Sequence, residues 1–180
     1  MRHEQKTLIN TYMVKINMTV LVDTGIFFAF YSLRDKHHLD SLGLITHLVK
    51  GKWGKAFITN HILDETLNIL KYKIAPETSK AFLEVFIDKG IVEVLYTDID
   101  LEMKALEIFK ENLGRKGFSY TDAVTVAAMR EFKIEYLLSY DLRSFQGLID
   151  SIIGPNYWQM LPNAEKEQIL KLVRKYKTCS

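Results

Sequence analysis

The chain has 180 residues, 48% hydrophobic and 26% charged, which suits one globular domain with a substantial core. It offers no apolar run near the roughly 20 residues that a membrane-crossing helix needs. Cys179 is the one cysteine, so disulfide frameworks and multi-cysteine zinc sites are excluded and a reducing cytoplasm is the expected compartment.

Taken in chain order, residues 1–17, MRHEQKTLINTYMVKIN, lack the apolar stretch of a secretory signal and read as an extension ahead of Met18. TVLVD (Thr19–Asp23) is the β-branched run of a buried parallel strand. TGIFFAFYSL and KHHLDSLGLITHLVK follow as helices. KAFITN (Lys55–Asn60) is a second strand and HILDETLNILKYKI the helix after it. Pro76 marks the boundary with the helix ETSKAFLEVFIDKG, which stops at Gly90. IVEVLYT (Ile91–Thr97) is the third strand. Asp98 is a candidate cap for the helix IDLEMKALEIFKENLG, and Gly114 ends it. A helix from Tyr120 and the strand YLLSY (Tyr136–Tyr140) continue the alternation. From Gly154 the character changes: AEKEQILKLVRKYK carries Ile169, Leu170, Leu172 and Val173 on an otherwise basic helix, whose apolar face is expected to pack on the body or on a partner.

The net charge of +2 is unevenly spread, because residues 1–17 and 161–180 are basic and the body between them is slightly acidic. Basic tails are compatible with nucleic-acid contact, although such runs are more often solvated helix faces. Strand–helix alternation points to a parallel sheet covered by helices on both faces, joined by short right-handed connections. In such folds the functional crevice lies outside the carboxyl ends of the strands. Asp23 and Asp141 each follow directly on a strand.

Helical phase sorts the other acids. In HILDETLNILKYKI, Asp64 lines up with Asn68 and Lys71 on a polar stripe, whereas Glu65 falls between Ile62 and Ile69. A carboxylate flanked in that way is partly desolvated and needs a cation or hydrogen bonds. Asp122 heads a row through Thr125, Val126 and Met129. Each acid alone has a structural reading: Asp122 as a first-turn acid favoured by the helix dipole behind a Ser119 or Thr121 cap, Asp23 as a turn former, Asp141 as the cap of a following turn. Together, two strand-end acids and two on inner helix faces can converge on one edge. Crowded carboxylates require protons or cations between them. Hard divalent ions such as Mg²⁺ take such oxygen ligands, and that chemistry serves phosphoryl transfer.

These residues resemble the PIN domain, the metal-dependent ribonuclease fold of VapC-type toxins of prokaryotic toxin–antitoxin pairs. The signposts are TVLVDTGIFFAF, ITNHILDETLNIL, SYTDAVTVAAMRE and LLSYDLRSF, in that order between Met18 and Ile153. The resemblance implies a three-layer α/β/α sandwich with a five-stranded parallel sheet in the order 3-2-1-4-5, the last strand around Leu148–Ile153. The organisation it gives is an extension (1–17), a nuclease domain (18–153) and a basic helical tail (154–180).

The resemblance further implies hydrolysis of RNA phosphodiesters to 5′-phosphate and 3′-hydroxyl ends. Asp23, Glu65 and Asp122 are expected to hold Mg²⁺ or Mn²⁺, with Asp141 completing the site. Thr24, Thr121 and Ser139 are the flanking polar positions, and Arg143, Arg115 and Lys116 the candidates for substrate phosphates, with Lys50, Lys52 and Lys55 beyond them. The implied partners are RNA, a cognate antitoxin and a second copy in a homodimer.

Trp53 and Tyr120 either stack on unpaired bases or pack, and packing is the commoner role. His37, His38 and His47 have no ligand partner on their own helix and stand outside the site. Met103, Met129 and IFFAF read as core, helix packing or a dimer interface. Gly25 stands where many relatives have a polar residue and Arg143 where many have a further acid, which keeps open a catalytically weak RNA- or protein-binding module. LVDTG also resembles the nucleophile strand of haloacid dehalogenases, but the second Asp that motif requires is Gly25, so a phosphatase ranks lower.

Overall fold

A computed structural model describes residues 18–177, with side chains as far as Val173. The expected extension at residues 1–17 lies outside the described residues. Strand β1 (Thr19–Val22) leads into α1 (Thr24–Tyr31) and α2 (His38–Val49), then β2 (Lys55–Thr59), α3 (Asn60–Lys73) and α4 (Pro76–Phe82). After a π-helical turn at Leu83–Ile87 come β3 (Glu93–Leu95), α5 (Ile99–Glu111), α6 (Tyr120–Glu131) and β4 (Tyr136–Leu138). Helix α7 (Leu142–Phe145), β5 (Ile152–Ile153), α8 (Tyr157–Met160) and α9 (Asn163–Lys177) complete the order.

The five strands form one sheet in the order β3-β2-β1-β4-β5, parallel throughout. Val20, Leu21 and Val22 are wholly buried, as a central strand covered on both faces requires. Val20 is paired with Ala56 on one side and Tyr136 on the other. The chain moves outward from β1 through β2 to β3 and then returns across to β4. With right-handed crossovers, that reversal sends α1 to α4 to one face and α5 and α6 to the other. The strand order reverses beside β1, so its carboxyl end opens the crevice where Asp23 stands.

The strands and helices read from the sequence are present, with local differences. The helix expected from Glu77 to Gly90 is interrupted by the π-helical turn. Phe82 and Phe86 on either part of it are both buried against Phe27, with ring centroids 4.8 and 5.2 Å away in edge-on geometry. The fifth strand is shorter than the expected Leu148–Ile153. It ends at Gly154, where the backbone passes so close to β4 that a Cβ would lie 2.0 Å from the Ser139 carbonyl oxygen. Trp53 is buried, so packing is its role.

The tail helix α9 sets its apolar side on the body: Ile169 is buried, Val173 half-buried and Leu172 exposed. A polar tie reinforces this seam. His47 on α2 bonds through one ring nitrogen to the Tyr157 hydroxyl and through Nε2 to Glu165 at 2.7 Å. Lys52 donates to the same Tyr157 oxygen at 2.8 Å. No helix of the described residues is long and apolar enough to cross a membrane.

Candidate active site

Asp23 emerges from the buried end of β1, and its backbone N–H continues the sheet by donating to the Leu138 carbonyl at 2.9 Å. Its Oδ2 accepts from the Ser139 hydroxyl at 2.7 Å. Ser139 is fully buried at the end of β4, and its oxygen also accepts the Asp141 N–H at 3.0 Å. One hydroxyl therefore fixes the two strand-end acids relative to each other.

On the other side, Thr24 opens α1 and donates to Glu65 Oε2 at 3.2 Å, while Thr66 donates to the Thr24 oxygen at 3.3 Å. Glu65 itself is exposed, so the desolvation expected from its place between Ile62 and Ile69 is not found: its side chain lies at the open end of the crevice. Asp64, one residue earlier, faces solvent and accepts from Asn68 at 3.1 Å, so the polar stripe read from helical phase is present.

Asp122 and Asp141 fill the structural roles weighed for them. Ser119 caps α6, and its N–H and hydroxyl donate to Asp122 Oδ2 at 2.6 and 2.9 Å, closing a capping box. Asp141 caps α7, accepting from the Ser144 N–H at 2.9 Å and its hydroxyl at 2.6 Å.

These caps do not remove the four acids from one another's field. Burial pushes the Asp23 carboxyl up to about 7; the Ser139 bond opposes that rise, and the charges of Asp122 and Glu65 add to it. Asp122 is likewise raised, first by burial and further by Asp141 and Glu65, against the bonds from Ser119. The four acids are thus electrostatic neighbours at the carboxyl end of the central strands.

Among the described residues no three acid, histidine or cysteine side chains close around a point as metal ligands. The donor set nevertheless fits a hard divalent ion, because it is all oxygen and its mutual repulsion is relieved by positive charge.

A family model for the PIN domain matches residues 20–148. The chain belongs to the PIN domain family. This PIN domain is 48% identical over 157 residues to a VapC ribonuclease of Archaeoglobus fulgidus, covering 87% of this chain and 96% of that protein. Among solved structures it resembles Mycobacterium tuberculosis VapC20, described as a sarcin-ricin loop cleaving toxin, with a TM-score of 0.64 and 23% identity. That match covers 76% of this chain and 99% of the other. It also resembles DNA-bound VapBC from Salmonella typhimurium, with a TM-score of 0.57, 19% identity, and 76% and 97% coverage. FitAcB from Neisseria gonorrhoeae matches with a TM-score of 0.54, 14% identity, and 76% and 97% coverage. At these identities the solved structures establish the fold of the PIN domain alone.

The remaining expected positions of the PIN domain fall into two groups. Thr24 and Ser139 are buried and hold acids, and Thr121 is half-buried at the start of α6. Lys116 and Arg143 are exposed. Arg115 donates to the Ser144 and Gln146 carbonyls at 3.0 and 2.6 Å, tying the α5–α6 loop to the segment capped by Asp141.

A second polar cluster beside the acids escaped the sequence reading. Glu102 on α5 accepts from Thr97 at 2.5 Å, from Tyr120 at 2.5 Å and from His61 Nε2 at 2.7 Å. Its one sequence signal is position: Thr97 and His61 follow strand ends, on the same edge as the acids. Glu102 itself, in the first turn of α5 behind the Asp98 cap, reads as an acid favoured by the helix dipole.

Proposed function

We propose that this chain is a metal-dependent endoribonuclease that hydrolyses RNA phosphodiesters to 5′-phosphate and 3′-hydroxyl ends, acting as the toxin of a toxin–antitoxin pair. The observation that carries this reading is the meeting of Asp23, Glu65, Asp122 and Asp141 at one sheet edge, where burial lifts Asp23 to about 7 and the charges of Asp122 and Glu65 add to the rise. The 48% identical relative is named a ribonuclease, which supports the same chemistry.

Asp23, Glu65 and Asp122 would hold Mg²⁺ or Mn²⁺, with Asp141 beside them. Such an ion supplies positive charge to the phosphodiester and acidifies an attacking water. The chain's own contribution is placement: Ser139 orients Asp23 and the Asp141 backbone, Thr24 orients Glu65, and Ser119 orients Asp122. Exposed Lys116 and Arg143 offer charge to the RNA backbone. The partner is an antitoxin, as the VapBC pair among the structural relatives suggests. The place of action is the cytoplasm, and the assembly a homodimer.

The test is cleavage of labelled RNA with Mg²⁺, Mn²⁺ or chelator by the protein and by Asp122→Asn. The expected result is metal-dependent cutting that leaves 5′-phosphates and is lost in the variant, with circular dichroism unchanged. Equal cutting by both proteins removes Asp122 from the chemistry. RNA binding without cutting in either identifies a binding module instead, the reading that Gly25 and Arg143 favour.

A further inference from the structure

The Glu102 cluster sits against the acidic site. His61 and Glu65 are four residues apart on α3 and so share a face. The His61 ring meets Tyr120 edge-on at 5.6 Å, and Tyr120 stands two residues before Asp122. His61 therefore stands one helical turn before Glu65 and against the first residue of α6, on the β3 side of the crevice.

Glu102 dictates which face the imidazole presents. Burial alone would raise its pKa, but the donors Thr97, Tyr120 and His61 outweigh that and hold it below the usual carboxylate range. An ionised carboxylate only accepts hydrogen bonds, so His61 Nε2 carries the proton that bridges the 2.7 Å to Glu102 Oε1. In the neutral ring the lone pair is then on Nδ1. Nδ1 has no partner among the described residues. No buried side-chain nitrogen or oxygen among them lacks one, so Nδ1 meets solvent. Three donors on one carboxylate make a fixed mount, and the mount leaves Nδ1 as a solvent-facing acceptor on the residue one turn before Glu65.

We infer that His61 reads the ribose of a nucleotide beside the cleaved phosphate, its Nδ1 accepting a hydrogen bond from the 2′-hydroxyl. That hydroxyl is the group by which a site tells RNA from DNA, and the carboxylates make no such distinction. This inference rests on the nuclease reading for its substrate, and Glu102, Thr97 and Tyr120 are positioning residues within it.

The experiment uses the full chain and a short single-stranded RNA that it cuts, re-made with one 2′-deoxy or 2′-fluoro substitution at each position in turn. The 2′-fluoro sugar keeps ribose-like pucker but cannot donate. Buffer is mildly alkaline, where imidazole is ordinarily neutral. At one position both substitutions should lower kcat/KM about five- to tenfold, the worth of one hydrogen bond, chiefly through KM.

Two variants separate recognition from mere packing. The amide nitrogen of His61→Gln reaches the place of Nε2 and keeps the tie to Glu102, but no acceptor remains at Nδ1. The amide oxygen of His61→Asn stands near Nδ1 and keeps the acceptor without the tie. Discrimination should vanish in His61→Gln and survive in His61→Asn; a structural ion pair gives the reverse order. Indifference of the wild type at every position, or discrimination unchanged in His61→Gln, overturns the inference and leaves the nuclease reading standing. If no RNA is cut with any metal, the nuclease reading falls. Binding of the same oligonucleotides in chelator, followed by fluorescence anisotropy, then decides His61 by the same comparison.

Discussion

Replacing Asp23 by asparagine should stabilise the metal-free protein at alkaline pH, although it removes the residue at the centre of the site. The folded protein holds the Asp23 proton to about pH 7, whereas the ordinary value for the side chain is 3.8. Below the lower value both states are protonated and Asp23 carries no penalty. As the pH rises towards 7 the unfolded chain gives up its proton freely, the folded one does not, and stability falls; above 7 the full deficit remains. At about 1.4 kcal/mol per tenfold the whole deficit has a ceiling of about 4 kcal/mol. About half of it, roughly 2 kcal/mol, accrues between about pH 5.5 and pH 8. The side-chain amide of Asp23→Asn keeps an oxygen for the Ser139 hydroxyl and never ionises. Urea unfolding in chelator should therefore show the variant gaining on the wild type by up to about 2 kcal/mol across that interval. Adding Mg²⁺ at the upper pH should raise wild-type stability and leave the variant unmoved. A gap between the two proteins that does not change with pH would refute the reasoning, since it would mean that the Asp23 charge is already compensated by its surroundings.

Other perturbations probe the supports. Ser139→Ala removes the one side-chain donor that opposes the upward shift of Asp23, so the acid limb of the cleavage pH–rate profile should move to higher pH. An unmoved limb means that Asp23 does not govern it. Gly154→Ala puts a Cβ 2.0 Å from the Ser139 carbonyl oxygen, and backbone there cannot yield as a flexible side chain would. A loss of about 2–3 kcal/mol is expected, read as a lowered Tm by calorimetry, and an unchanged Tm rejects the contact. His47→Ala strips the partner from Tyr157 and Glu165 at the seam of α2 and α9. A cost of about 2–3 kcal/mol should appear with early proteolytic cutting in α9, and equal protease resistance would show that the apolar seam alone holds the tail.

Much of this protein is legible in its residues taken in order. The buried run at Val20–Val22 needs cover on both faces, which selects a central parallel strand, and strand–helix alternation then leaves few topologies. Chain order also exposes the acids, because Asp23 and Asp141 end strands and the period of α3 sets Asp64 beside Asn68 and Glu65 beside Thr24. Such features depend on spacings of a few residues, and local geometry is enough to fix them. Contacts between distant segments depend on how the elements dock. Nothing local marks the burial that carries Asp23 to about 7, in a pocket where Ser139, Glu65 and Asp122 are brought together from three other elements. Glu102 reads as one acid among many until α5 lies beside His61 and Tyr120. His47, set aside for want of a partner on its own helix, finds Tyr157 and Glu165 more than a hundred residues away. Chain order and periodicity placed the acids on their elements. Only the packing of elements remote in sequence decided what each acid meets, because desolvation and Coulomb energy follow distance in space and not distance along the chain.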